Sequence, residues 1–265
     1  MAQRRRLDVE LVRRGLARSR SHADELVAAG RVQVAGLIAT KVATQVDPAV
    51  AIVVRQGESG PDFASRGGHK LTGALDTFGV PVAGRQCLDA GASTGGFTDV
   101  LLRRGAAHVI AVDVGYGQLV WALRSDDRVS VLDRTNVRDL VPERLPYAPD
   151  LVVADLSFIS LRLVLAPLIS ISAAEADLVV MVKPQFEVGR ERLGHGGVVR
   201  SAADRAEAVR SVASAATGQG WGVRGVCASP LPGPSGNVEY FLWLAAGAGP
   251  LQDAQLSRAI EEGPQ

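Results

Sequence analysis

The chain has 265 residues, 47% hydrophobic and 22% charged, with a formal net charge of +1. That is enough apolar material for one catalytic-sized α/β domain plus a small appendage, and it excludes global disorder. No apolar run approaches the roughly 18 residues of a membrane helix. The opening "MAQRRRLDVE" is basic but has no apolar core, so a cytoplasmic protein without a secretory signal is expected. Cys87 and Cys227 each sit in an apolar strand-like run with no C-x-x-C partner, which reads as two buried, reduced thiols.

Charge is uneven along the chain. Residues 1–60 hold ten Lys/Arg and six Asp/Glu, a net of +4, and the rest hold nineteen and twenty-two, a net of −3. Seven arginines lie within the first twenty residues against Asp8 and Glu10 alone. Such an end suits contact with a polyanion, the plain alternative being a solvated face. Here "LDVELVRRGL" places Leu7, Leu11 and Val12 at helical spacing and stops at Gly15. Ser21 reads as the N-cap of a second helix, "HADELVAA", with Asp24 at the capping-box position and Gly30 as its stop. "RVQVAGLIA" reads as two strand arms around Gly36, and "AVAIVV" as a further strand. The expected organisation is a small α+β module over 1–58, a Gly/Pro-containing linker over 59–66 and a larger domain over 67–265.

Beyond residue 84 the strand-like runs are "QCLDAG", "HVIAVDVG", "VSVLD", "DLVVADLS", "DLVVMVKP", "VRGVCASP" and "VEYFLWL", with helical stretches such as "SAADRAEAVRSVASAAT" between most of them. That alternation implies an α/β fold with a parallel sheet covered on both faces. Ligands of such sheets sit at the carboxyl ends of the strands.

The first of these strands ends in "LDAGASTGGFTDVLL", where Asp89, Gly91, Gly95 and Gly96 form a tight turn before a helix. A dinucleotide site would want G-x-G-x-x-G, but Ser93 stands where the second glycine belongs. An acid beside the loop suits a cationic, zwitterionic ligand such as S-adenosylmethionine better than a pyrophosphate. Asp113, about twenty residues past the loop, ends the second strand where ribose hydroxyls would be met. On these residues a methyltransferase is favoured, with a dinucleotide enzyme and other α/β enzymes left open.

Only Lys41, Lys70 and Lys183 are lysine; the other 26 basic residues are arginine. Lysine is then most expected where arginine cannot serve. Burial or a neighbouring cation can push an ammonium toward neutrality, which a guanidinium resists. Lys183 closes the buried run Leu178–Val182 at the ligand-facing end, and Lys70 lies in "SRGGHKL" just ahead of a helix. Asp155 ends the strand "DLVVAD" and Glu239 opens "VEYFLWL". Each carboxylate alone reads equally well as a cap or surface ion pair; together with the lysines they should converge at one edge of the sheet.

Two resemblances follow from these residues. "LDVELVRRGLARSRSHADELVAAGRVQVAG" resembles the S4-type RNA-binding domain of ribosomal proteins and pseudouridine synthases, which implies RNA contacts through Arg4, Arg6, Arg14, Arg18, Arg20 and Lys41. The order Lys70, Asp155, Lys183, Glu239 resembles the K-D-K-E set of FtsJ-like ribose 2′-O-methyltransferases. More closely, "SRGGHKL", "LDAGASTGGFTDVLL", "DLSFISL", "VKPQFEVG" and "SPLPGPSGNVEYFLWL" are similar to the TlyA family of ribosomal RNA methyltransferases. That resemblance implies a Rossmann-like, seven-stranded, S-adenosylmethionine-dependent domain after the RNA-binding module. It also implies methylation of the cytidine 2′-hydroxyl in small-subunit, and also large-subunit, ribosomal RNA.

The expected partner is ribosomal RNA or a ribosomal subunit, with no membrane, no metal and a monomeric chain. The expected catalytic set is Lys70, Asp155, Lys183 and Glu239, with Lys183 taking or polarising the hydroxyl proton. Asp89, Gly91, Ser93, Thr94 and Gly95 should line the methionine end, Asp113 should meet the ribose, and Asn136 the adenine edge unless it serves only a turn. His22, His69, His108 and His195 share no metal-ligand spacing and read as structural or surface residues. Phe158 and Phe186 read first as core residues and second as stacking partners for a turned-out cytosine. Pro61 and Phe63 depart from many relatives and affect the linker rather than the chemistry. The competing readings are an RNA-binding module without catalysis and a hemolysin-like membrane-active protein, which the lack of a basic amphipathic helix opposes.

Overall fold

Leu7 and Leu11 stand one helical turn apart and are fully buried, an arrangement in which each side chain contributes roughly 1.5–3 kcal/mol. Such local choices build two compact units, Met1–Ala64 and Ser65–Gln265. The computed structural model describes residues 4–17, 20–55, 63–233 and 235–264. Arg18, Pro61 and residues 59–62 of the predicted linker therefore lie outside the described residues, and Phe63 is buried.

The first unit runs β1 (Arg5–Arg6), α1 (Leu7–Arg13), α2 (Arg20–Ala28), β2 (Val32–Val34), β3 (Leu37–Ile38), β4 (Gln45–Val46) and β5 (Ile52–Val54). Helix α2 begins at Arg20, so Ser21 lies inside it and not ahead of it. The hairpin between β2 and β3 turns through Ala35 and Gly36, both at positive φ, the backbone twist that a two-residue hairpin demands. Strand β1 pairs antiparallel with β4, and β2 is flanked by β3 and β5. Leu7, Leu11, Ala23, Leu26, Val32 and Val46 fill the core.

Two buried acids organise the basic end. Asp8 holds Arg6 at 3.1 Å and Arg20 at 2.8 Å. Glu10 holds Arg13 at 2.6 Å and Arg14 at 2.7 Å. Arg14 also donates to the Val50 and Pro48 carbonyls, each at 2.7 Å. Arg14 is thus a half-buried structural tie, whereas Arg4, Arg6, Arg20 and Lys41 are exposed.

The second unit contains α3 (Gly67–Phe78), β6 (Gln86–Ala90), α4 (Gly96–Arg103), β7 (His108–Val112), α5 (Trp121–Arg124), β8 (Val129–Leu132), β9 (Leu151–Ala154), α6 (Leu165–Ile171), β10 (Asp177–Val182), α7 (Pro184–Glu187), α8 (Ala202–Thr217), β11 (Trp221–Ala228), β12 (Tyr240–Ala246) and α9 (Asp253–Glu262). The seven strands form one sheet in the order β11-β12-β10-β9-β6-β7-β8. Strands β6 to β10 are parallel; β6, β7, β9 and β10 are almost wholly buried, hence their near-continuous apolar sequence, while β8 at the edge is half-buried. The exception to the parallel order is β12, which runs antiparallel to both β10 and β11. No helix separates β11 from β12 among the described residues, and antiparallel neighbours need no crossover. The reversal puts Tyr240 opposite Val182, so the start of β12 lies where β10 ends.

Leu88, Ala90, Val152, Leu178 and Val180 face one side, against α6 and α8, in a continuous core. Among the described residues, no helix is long and apolar enough to cross a membrane.

The paired acids of the first unit give a pH test. The hydrogen bonds from Arg6 and Arg20 pull the Asp8 carboxyl down from 3.8 to about 2, and those from Arg13 and Arg14 pull Glu10 from 4.5 to about 2. Folded values below the unfolded ones mean that this stabilisation is complete above about pH 4.5 and is lost as pH falls toward 2. In the full-length chain, amide exchange of α1, corrected for intrinsic rates, should accelerate between pH 5 and pH 2.5. The doubly substituted Asp8→Asn, Glu10→Gln chain should exchange roughly tenfold faster at pH 5 and show little further change on acidification. Equal pH responses in the two chains would contradict this role.

Candidate active site

The loop after β6 is shaped by contacts that leave no room for side chains. Gly91 has φ +88°, and a Cβ there would lie 2.5 Å from the Asp155 carbonyl oxygen. Gly95, at φ +101°, presses on the side chains of Leu119 and Leu123. Ser93 also adopts positive φ, +48°, a conformation costing a non-glycine residue on the order of 1 kcal/mol. It is held there because its N–H donates to Asp113 Oδ2 at 2.8 Å.

Asp113 follows β7, and its Oδ1 accepts the Gly115 N–H at 2.7 Å. Each carboxylate oxygen retains acceptor capacity, so Asp113 is fixed in orientation yet open to a ligand's hydroxyls. Asn136 accepts the Arg138 N–H at 3.0 Å, a cap for the turn it begins. Gly91, Ser93, Asp113, Asn136 and Asp155 all line one cavity of about 550 Å3, within the roughly 300–1,000 Å3 of small-molecule sites. It lies outside the carboxyl ends of β6, β7 and β9, at the point where the strand order reverses direction, the usual ligand position in such sheets.

The charges around this cavity test the cofactor. Two carboxylates, Asp113 and Asp155, face it with one guanidinium, Arg138. A pyrophosphate would meet the carboxylates as like charge. A nucleoside bearing an ammonium and a sulfonium meets them as opposite charge, so the donor set fits S-adenosylmethionine.

Asp89, Thr94 and Gly95 do not line this cavity. Asp89 is fully buried and accepts the Thr98 hydroxyl of α4 at 2.7 Å. It alternates with Leu88 and Ala90, which face the opposite core, and strand parity alone would have turned it under α4.

The four candidate catalytic side chains form two pairs. Lys70, inside α3 rather than ahead of it, places Nζ 2.5 Å from Glu239 Oε2, with both residues buried. Lys183, directly after β10, places Nζ 2.6 Å from Asp155 Oδ1 and donates to Ser157 Oγ at 2.9 Å. The approach to Asp155 is a charge contact, and the bond to Ser157 is the directed hydrogen bond. Glu239 precedes β12 and Lys183 follows β10, one position beyond the Val182–Tyr240 pair. Lys70 and Asp155 also line a common cavity of about 120 Å3 that shares Gly91 and Ser93 with the larger one. Ser157 was not singled out from sequence, although it stands two residues past Asp155.

Phe158 corrects the core reading. Its side chain is 92% exposed, its φ is +63°, and it lines the large cavity. Its ring lies 5.2 Å from that of the half-buried Phe186. His108 sits between Tyr147 and Ser130. No group of three or more His, Cys, Asp or Glu among the described residues is placed to hold a metal ion. Cys87 and Cys227 are free and buried, and burial pushes both thiols up to about 12.

With a seven-stranded sheet, one reversed strand and a nucleoside-sized cavity at the switch point, the second unit has the architecture of a methyltransferase. The family of FtsJ-like methyltransferases matches residues 63–246, and the S4 domain matches residues 5–52. The 16S/23S rRNA (cytidine-2′-O)-methyltransferase TlyA of Mycobacterium tuberculosis is 59% identical over all of both chains. YqxC of Bacillus subtilis, an rRNA methyltransferase candidate, is 39% identical over 98% of this chain and 94% of its own. The structure of a hemolysin candidate from Streptococcus thermophilus is 37% identical, covers 99% of this chain and 96% of its own, and has a TM-score of 0.77. The chain belongs to the TlyA family of FtsJ-like methyltransferases and carries an amino-terminal S4 domain.

Asp89 supplies a test within this unit. Burial is the main force raising its carboxyl from 3.8 to about 7; the Thr98 hydroxyl opposes it, and the charges of Asp155 and Asp113 add to it. A raised folded value means that the native chain binds the extra proton between about pH 4 and 7. Stability should therefore fall as pH rises through that window and level off above it. Asp89→Asn should remove this slope, so that its stability relative to wild type rises from pH 5 to pH 8 by up to about 2.6 kcal/mol. Parallel pH–melting curves for the two chains would show that Asp89 does not titrate in this range.

Proposed function

We propose that this chain methylates the 2′-hydroxyl of cytidine in ribosomal RNA, of the small subunit and also of the large, using S-adenosylmethionine. The observation that carries the reading is the pair of lysine–carboxylate contacts beside a cavity whose charges suit a cationic nucleoside. The curated relative that matches the whole chain bears this activity in its name.

When bound, S-adenosylmethionine supplies a methyl group activated by a sulfonium, transferred to the ribose oxygen as the carbon–sulfur bond breaks. Gly91, Ser93 and Asp113 hold its nucleoside and amino-acid ends, and Asn136 meets the base. Lys183 Nζ, as an uncharged amine, takes the proton leaving the ribose hydroxyl and releases it to water, or polarises that hydroxyl as its proton passes to water. Asp155 and Ser157 fix the direction of that amine, and Lys70 with Glu239 steadies the ribose. Much of the acceleration is alignment of hydroxyl oxygen and methyl carbon, for which rigid neighbours matter more than additional charge. Phe158 takes the face of the turned-out base, supported from behind by Phe186.

Arg4, Arg6, Arg20 and Lys41 of the first unit grip the RNA backbone, whose A-form shape rewards cations on a firm surface. On this reading the chain works in the cytoplasm on ribosomal RNA or a ribosomal subunit.

Lys183→Arg keeps the charge and removes the compact amine. It should lower methyl transfer to ribosomal RNA roughly 10²-fold or more while calorimetry finds cofactor affinity little changed. A wild-type rate would overturn the assigned proton role. Mapping ribose-methylated positions in cells with and without the gene tests the substrate, and identical maps would overturn it.

A further inference from the structure

Glu187 belongs to neither lysine pair, yet its side chain is 1% exposed and makes the shortest polar contact between two site loops. Its Oε2 accepts the Ser160 hydroxyl at 2.5 Å, and its Oε1 accepts the Leu161 N–H at 2.7 Å. Arg162 Nε lies 3.4 Å from Oε2 and supplies a counter-charge from the solvent side. A carboxylate taken out of water is tolerated only when its oxygens are satisfied in this way.

The two loops so joined are those that follow β9 and β10. Three rungs connect them in order. Lys183 meets Asp155 and Ser157, Phe186 meets Phe158, and Glu187 meets Ser160 and Leu161. The middle rung carries the strain, because Phe158 is held at φ +63° with its ring in solvent. A non-glycine residue keeps such a backbone only where its surroundings over-determine it. Glu187, at the end of α7, pins the far side of that turn, and Lys183 pins the near side.

We propose that Glu187 is a positioning residue for methyl transfer: its carboxylate clasps residues 160–161 and thereby presents the Phe158 ring at the mouth of the cavity. The inference rests on the methyltransferase reading and extends it to a residue that touches neither substrate nor cofactor. Its effect passes through Phe158, so the two residues should not act independently.

The test is a double-mutant cycle in the full-length chain. Glu187→Ala should lower kcat for ribosomal RNA methylation about tenfold or more, since small misplacements are costly in aligned reactions, with cofactor affinity held within about threefold. In a Phe158→Ala background the same change should cost less than about threefold. Glu187→Gln keeps an acceptor for the Leu161 N–H and a group able to pair with Ser160, and should recover most of the rate. An equal loss in both backgrounds, or no loss in the first, overturns the proposal. Hydrogen exchange separates it from the functional reading. Glu187→Ala should speed exchange at Leu161 whether or not the chain methylates RNA, and unchanged exchange there overturns the clasp even if activity falls.

Discussion

A charged amine removed from bulk water needs an opposite charge at contact distance, or its burial costs several kcal/mol. At the carboxyl edge of this sheet the requirement arises twice within a small space. Lys70 is answered by Glu239 and Lys183 by Asp155, at 2.5 and 2.6 Å. The pairs draw on four separate elements, so the sheet, α3 and the closing loops must all be in place before either can form. Removing Lys70 or Glu239 would leave the other charge buried and unmatched, a larger loss than the pair itself contributes, whereas Lys183 and Asp155 are half-buried and would lose less.

The reversed strand makes this arrangement accessible. In a wholly parallel sheet, the residue that precedes a strand lies at the opposite edge from the residues that follow its neighbours. Because β12 runs antiparallel to β10, Glu239 arrives ahead of its strand at the edge that Lys183 and Asp155 reach after theirs. Two glycines let the backbone close around the result. A Cβ on Gly91 would meet the Asp155 carbonyl at 2.5 Å, and one on Gly233 would lie 2.7 Å from Glu239 Oε1. Glycine's lack of a side chain here is a matter of contact distance as much as of conformational freedom.

Much of this was legible in the sequence, for reasons that can be named. Apolar runs that end abruptly in Asp155, Lys183 or Asp113 announce both a buried strand and the edge its end reaches. Scarcity did the rest for the lysines, since a chain that uses arginine elsewhere exposes the positions where it does not. What stayed hidden depended on pairing and facing. Strands β1 and β4 are two residues each, too short for any alternation to register. The direction of β12 is set by the missing crossover, which composition does not display. Asp89 was placed by its proximity to the glycine loop when its parity with Leu88 and Ala90 puts it beneath α4. Phe158 was read as core because aromatic residues usually are, and a single backbone angle turns it outward.

The basic end shows why counting charges says less than tracing their partners. Asp8 and Glu10 between them engage four arginines, so the surplus in the composition is partly internal wiring. The two acids act differently. Glu10 and the carbonyls of Pro48 and Val50 draw Arg14 inward, whereas Arg6 and Arg20 stay 43% and 63% exposed while tethered to Asp8. A tethered guanidinium has already surrendered much of its rotamer freedom, which for a free arginine amounts to about 2 kcal/mol. It also keeps N–H groups pointing outward in a fixed fork. For a ligand recognised by the spacing of its phosphates, a few oriented arginines serve better than many loose ones, because the ordering cost is met in folding and not in binding. On that argument Asp8, although negative, favours the polyanion contact proposed for this unit by holding its two cations in register.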